Sequence, residues 1–143
     1  MPAIPEAYRD LFETESFAHF ATVMPDGTPH TTPVWVGYEA PGEDAHPWSS
    51  GDEHLLVNTA RGRRKERNVR QNPKVGVSIT DPDDPYRYLS VRGEVESVDT
   101  TGAVEHIDAL ARRYFDVDEY PHHGEEDGKR VVVRIRPDRV VTA

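Results

Sequence analysis

Apolar residues in this chain recur mostly at every second position, and at helical spacing in only two stretches. Residues 17–23 are aromatic and small apolar, and the pattern resumes over 29–38 after Pro25-Asp26-Gly27-Thr28. That tetrad is a turn signal, because proline fixes one φ and glycine accepts a positive one. The two runs read as a β-hairpin. Further strands are expected at 54–59, 75–80, 86–98 and 129–136, with Val140 and Val141 adding a last short one. Gly93 interrupts the longest, where a bulge fits. In 129–136, Val131, Val133 and Ile135 face one way and Arg130, Val132, Arg134 and Arg136 the other, which predicts a half-buried strand. Helical spacing appears in 5–14, where Ala7, Tyr8, Leu11 and Phe12 form a stripe behind Pro5. It appears again in 101–115, through Val104, Ile107, Ala111 and Tyr114. A third helix is expected in the basic stretch before Asn72-Pro73, where proline stops it. Residues 40–52 and 116–128 read as loops, with Trp48 anchoring the first. Six strands with few helices and tight hairpins argue for a mainly β, antiparallel barrel and against a parallel sheet.

Length and composition narrow this picture. A chain of 143 residues suits one domain, 1–143. Hydrophobic residues are only 36% against 30% charged, so the core must be economical. No apolar run reaches the roughly 18 residues of a membrane span. The N-terminus lacks the basic-then-apolar pattern of a secretory signal, so a cytoplasmic protein is expected. Without cysteine there is no disulfide, thiolate nucleophile or Cys-ligated metal.

Net charge is −9, which disfavours duplex DNA or an anionic membrane as main partner. Lysine occurs only at positions 65, 74 and 129; an acidic, lysine-poor surface suits high salt, and a halophilic source is expected. One segment runs against the trend. Arg61, Arg63, Arg64, Lys65, Arg67 and Arg70 crowd ten residues that hold one acid, Glu66. Such a patch on an acidic chain points to a compact anion. RNA is disfavoured, since no aromatic platform is interleaved with it.

The segment follows a strand ending Asn58-Thr59 and opens a helix. A helix N-terminus offers free N–H groups and partial positive charge, which favour phosphate. Arg63, Arg64, Lys65 and Arg67 add full charges, and Asn58 and Thr59 add side-chain hydrogen bonds. On residue types alone, phosphate binding stands level with a solvated helix face. In Thr31-Thr32-Pro33-Val34-Trp35, Pro33 cannot donate to a ladder and marks an edge or bulge. Backbone freed there can bond a planar heterocycle, although a kinked strand with a core tryptophan is the plainer reading. The seven histidines show no metal-ligand spacing, so no metal is expected, and His122-His123 reads as a polar loop pair. The acidic turn at Asp81, Asp83 and Asp84 lacks the glycine and distal glutamate of a calcium loop. There is no nucleophile elbow, phosphate loop or dinucleotide fingerprint.

The ordered set of motifs resembles the pyridoxamine 5'-phosphate oxidase-like split β-barrel superfamily, in particular its small deazaflavin-dependent (coenzyme F-420) branch. The matching stretches are Phe20-Ala21-Thr22-Val23 with Pro25-Asp26-Gly27-Thr28-Pro29, then Thr32-Pro33-Val34-Trp35. Asn58-Thr59 with Gly62-Arg63-Arg64-Lys65-Glu66-Arg67-Asn68-Val69 follows, then Asn72-Pro73-Lys74-Val75. Last come Tyr86-Arg87-Tyr88 and Val91-Arg92-Gly93-Glu94-Val95. The resemblance implies a six-stranded antiparallel split β-barrel of FMN-binding type with two to three flanking helices. It implies a homodimer with cofactor in a groove between subunits. It places Lys65 and Arg63 on the cofactor phosphate, with Asn58, Thr59, Arg64 and Arg67 nearby. Thr32, Pro33 and Val34 would run along the ring system, and Tyr86 and Tyr88 would be partner-side or ring-side aromatics. The implied activity is hydride transfer between the deazaflavin and a small organic acceptor. The alternatives are FMN-dependent oxidation or flavin reduction, and a non-catalytic cofactor carrier or sensor. The resemblance names no catalytic residue; Tyr88, Tyr114 and a bound water are simply able to donate a proton.

Overall fold: a curled sheet whose two ends are joined at Trp35

The computed structural model describes residues 3–121 and 129–143. Its strands are β1 (Ala18–Val23), β2 (Pro29–Val34), β3 (Val36–Glu39), β4 (His54–Ala60), β5 (Lys74–Asp81), β6 (Asp84–Asp99) and β7 (Arg130–Thr142). They form one seven-stranded sheet in the order β2-β1-β5-β6-β7-β4-β3, antiparallel throughout. The sequence pattern predicts six strands; the seventh arises because the expected strand 29–38 breaks at Trp35. Its first half pairs with β1, Val34 opposite Ala18, and its second half with β4, Val36 opposite Val57. The peptide units around Trp35 thus connect opposite ends of the sheet and curl it into a half-barrel.

The barrel interior holds Phe20, Val34, Val36, Leu55, Val57, Val77, Ile79, Leu89, Val91, Val133 and Ile135. Each such side chain, fully buried, contributes about 1.5–3 kcal/mol. The N-terminal helix forms as a 3-10 turn, Glu6–Phe12, and tucks Leu11 and Phe12 into this core. Helix α1 (Arg64–Gln71) follows β4, and α2 (Ala103–Phe115) lies against the outer face of β4 and β7.

The strand 129–136 departs from its half-buried reading. β7 runs unbroken to Thr142, and its first six residues are buried on both faces. Val133 and Ile135 enter the barrel, while Val132 packs under α2 with Leu56 and Ala103. Arg134 reaches burial by pairing: it bonds Glu39, Asp99 and the Trp48 carbonyl, which ties the loop 40–53 to the sheet. Trp48 is the expected loop anchor, packed against Leu56, Ala103 and Val132. Alternation on the sequence is blind to a helix that returns to cover the second face.

Gly93 sits at a register shift between β6 and β7, as its place in the pattern predicted. A Cβ there would lie 2.0 Å from the Arg136 carbonyl oxygen. Gly93→Ala is therefore expected to destabilise the fold by about 2 kcal/mol or more, the scale of overpacking a rigid site. Urea unfolding measures this; a variant as stable as the wild type would mean that the bulge yields freely.

Candidate functional site: an aromatic slot ending in three cations

A cavity of about 260 Å³ opens on the outer face at the point where the sheet's ends are joined. Because Val34 and Val36 point inward, Pro33 and Trp35 point outward and form its floor. Phe17, Ile107, Phe115 and Tyr120 complete the apolar wall. Trp35 is held by its neighbours: it stacks on Tyr114 with centroids 5.1 Å apart and meets Phe115 edge-on at 4.7 Å. Tyr120 adds a second edge contact at 6.2 Å. The Tyr114 hydroxyl donates to the Ser16 carbonyl at 2.5 Å, which fixes the base of the stack. Arg113 donates to the Val36 carbonyl at 2.6 Å and so satisfies a backbone group next to the strand break.

The other end of the cavity is cationic. Arg63, at the N-terminus of α1, Lys65 in its first turn, and Arg130 at the start of β7 converge there. Lys65 is half-buried, and its pKa is lowered by burial first and then by the charges of Arg63 and Arg130. Arg130 is pushed down to about 10, chiefly by burial, with Tyr120 opposing the shift and Arg63 adding to it. Its guanidinium lies 5.1 Å from the centre of the Tyr120 ring. An anion placed among these three groups would relieve their mutual repulsion. It would lie where a helix N-terminus also favours negative charge.

Local structure sorts the basic segment. Gly62, at φ +89°, lets the chain turn from β4 into α1. The buried carboxylate of Glu66 accepts from the Gly62 N–H at 2.8 Å and pairs with Arg70. Asn68 donates to Thr22 Oγ1 at 2.9 Å, bolting α1 to β1, and accepts from Arg64 at 3.4 Å. The expected cofactor residues therefore separate. Pro33, Val34, Asn58, Arg63 and Lys65 line the cavity. Arg64 is turned toward Asn68, and Arg67 is exposed along α1, outside the lining. Thr59 follows Asn58 on β4, so alternation sends it to the barrel side, where it is buried. Thr32 lies opposite Phe20, facing the same interior. Their hydroxyl oxygens have no hydrogen-bond partner among the described residues. Tyr88 pairs with Ala143, at the far end of β7 from Arg130, and Tyr86 is among the most exposed side chains.

Sequence reasoning missed Arg130, Ile107 and the aromatic wall of Phe17, Phe115 and Tyr120. The available signal for Arg130 was its place on the same strand face as Val132, which called for a cover. Phe17 and Phe115 announce themselves only as bulky residues at element ends.

Beneath Asn58, its Nδ2 donates to the Ala103 carbonyl at 2.8 Å and to His106 Nδ1 at 3.1 Å. His106 is buried, and its pKa falls to about 3 through burial first, then the charges of Arg113, Arg134, His46 and Arg130. Among the described residues no three His, Asp or Glu side chains converge on a metal position; His122 and His123 lie outside those residues. No helix of the described residues is long and apolar enough to cross a membrane.

The pyridoxamine 5'-phosphate oxidase family pattern matches residues 4–142, and the chain belongs to that family. Among solved structures it is similar to an F-420 reductase, at 33% identity, TM-score 0.77, over 96% of this chain and 98% of that one. A conserved hypothetical protein from Mycobacterium tuberculosis shares the fold at 24% identity and TM-score 0.69, over 97% of this chain and 84% of that one. A putative pyridoxamine 5'-phosphate oxidase from Listeria innocua shares it at 20% identity and TM-score 0.59, over 93% and 92%. No curated protein matches the chain. The mainly β architecture is thus the split barrel of this family, with the strand at Trp35 counted as two.

His106 also carries a pH prediction. Its folded pKa lies near 3, against an ordinary value of 6.5. Between those values the unfolded chain binds a proton that the folded chain refuses. Its contribution is thus complete above pH 6.5 and fades as pH falls toward 3, by up to about 1.4 kcal/mol per pH unit. Urea unfolding at about pH 7 and about pH 5 is expected to show a smaller acid loss in His106→Gln than in the wild type. Equal losses would mean that the imidazole accepts a proton in the fold.

Proposed function

We propose that this protein binds a phosphate-bearing deazaflavin, coenzyme F-420, in the aromatic slot and transfers a hydride between it and a small organic acceptor. The observation that carries this reading is Lys65: half-buried at the end of an aromatic-walled cavity, with two arginines as its charged neighbours among the described residues. The donor set fits a planar ring attached to a phosphate. The likeness to an F-420 reductase over nearly the whole of both chains supports the deazaflavin. The family match supports FMN as the second reading, since one cation cluster serves either phosphate.

When bound, the cofactor supplies the hydride chemistry, and the chain supplies position and environment. Lys65 and Arg63 hold the phosphate, with Arg130 added to the expected set. Pro33 and Val34 lie along the ring, and Trp35 shields it from water. Asn58 offers a polar contact midway. Thr32, Thr59, Arg64 and Arg67 are assigned support of the surrounding strand and helix, because their side chains are directed away from the slot.

The protein works as a homodimer in this proposal. The slot is small beside the roughly 300–1,000 Å³ of usual cofactor sites. Its rim carries Phe17 and Phe115, 55% and 52% exposed, apolar surface that a second copy would cover. Tyr88, remote from its own chain's slot, reaches a cofactor only from the partner subunit. Sedimentation equilibrium is expected to give twice the chain mass; a monomer at micromolar concentration removes the shared site.

Titration of apoprotein with F-420 and with FMN decides between the two readings. The bound spectrum shows one main violet-blue band for the deazaflavin and two bands for FMN. The pair Lys65→Ala and Arg63→Ala is expected to weaken binding about a hundredfold with the circular dichroism unchanged. Unaltered affinity in the double variant would take the phosphate away from these residues.

A further inference from the structure

Asn58 lines the slot, yet its amide is not free to turn. Its Nδ2 lies 2.8 Å from the Ala103 carbonyl oxygen, a pure acceptor. A flipped amide would set two acceptor oxygens against each other. The second partner of Nδ2 is His106 Nδ1 at 3.1 Å. Since the Asn58 amide nitrogen donates, that ring nitrogen must accept, and the imidazole proton belongs on Nε2. His106 is only 2% exposed, and its ring meets Trp48 edge-on with centroids 5.1 Å apart. Gly37 makes the room: a Cβ there would lie 2.9 Å from His106 Nε2. Three residues distant in sequence therefore set one amide. The remaining polar atom, Asn58 Oδ1, is buried and has no hydrogen-bond partner among the described residues. A buried acceptor without a partner is unfavourable. It becomes favourable only when something brings a donor.

We propose that Asn58 Oδ1 is a fixed hydrogen-bond acceptor that selects ligands carrying an N–H or O–H donor, and that His106 is the residue that positions it. The inference rests on the cofactor reading for what enters the slot. It goes beyond that reading by making the middle of the slot, and not only its cationic end, discriminate between ligands. Inorganic phosphate engages the cations without meeting Asn58. A ligand that spans the slot meets both. The neutrality of His106 keeps the arrangement constant across physiological pH, because burial first, and then the surrounding charges of Arg113, Arg134, His46 and Arg130, all oppose its protonation.

Two measurements test this. The first needs no ligand: nitrogen-15 spectra of histidine-labelled protein are expected to show His106 with a bare Nδ1 and a protonated Nε2 from about pH 5 to pH 8. A proton on Nδ1, or titration in that range, overturns the positioning role. The second uses calorimetry with FMN, F-420 and inorganic phosphate as probes. Asn58→Leu is expected to lose about tenfold in affinity for the cofactor bound by the wild type, while phosphate binds as before. His106→Leu is expected to lose part of that affinity. His106→Asn, whose side-chain oxygen can take the place of Nδ1, is expected to recover it. Wild-type protein that binds neither cofactor refutes the cofactor reading, and with it the selection by Asn58, while the ring-nitrogen spectra still decide the lock. Wild-type protein that binds, beside an Asn58→Leu variant that binds equally well, refutes this inference alone.

Discussion

The fold depends on one covalent constraint, the passage of the chain from one end of the sheet to the other within the three residues Val34-Trp35-Val36. Two valines pointing inward on either side of the break oblige the tryptophan between them to point outward. The barrel core and the slot therefore share a hinge point: the same residues that curl the sheet set the floor of the cavity. Arg113 of α2 satisfies the Val36 carbonyl beside the break, and Tyr114, its neighbour in sequence, stacks on Trp35. Helix α2 thus braces the strand crossing with one residue and the slot with the next.

At the other end of the slot, electrostatics and not packing sets the character of the site. The basic segment is distributed by its own acid. Glu66 draws Arg70 away and caps the Gly62 turn, and Asn68 engages Arg64. What remains aimed at the slot is Arg63 and Lys65, and the sheet adds Arg130 from the far end of the sequence. Lys65 loses some of its affinity for protons first to burial and then to Arg63 and Arg130, and Arg130 first to burial and then to Arg63. Such a group of like charges is tolerable beside solvent and becomes favourable with an anion among them.

How far this was legible in the sequence differs between elements. The hairpin around Gly27, the helix ending at Asn72-Pro73 and the bulge at Gly93 each follow from local chemistry, and all appear where that chemistry puts them. The break at Trp35 was foreshadowed by Pro33 but not located, because which strand each half joins is a long-range matter. Likewise, Asn58 and Thr59 are adjacent and chemically alike, yet strand alternation sends them to opposite faces of β4. Arg130 became part of the cavity only because α2 folds back over β7. Residue type named the chemistry of the site; the partners of each residue came from tertiary packing that no local pattern encodes.

The prolines of β2 have a consequence outside the slot. Among the described residues, the order of strands leaves β2 and β3 as the sheet's terminal members, each with one side unpaired by another strand. Pro29 and Pro33 bring no N–H to that margin, and β3 is four residues long with one carbonyl already occupied by Arg113. Both margins are therefore poor templates for a growing stack of identical chains, a feature that works against fibril formation.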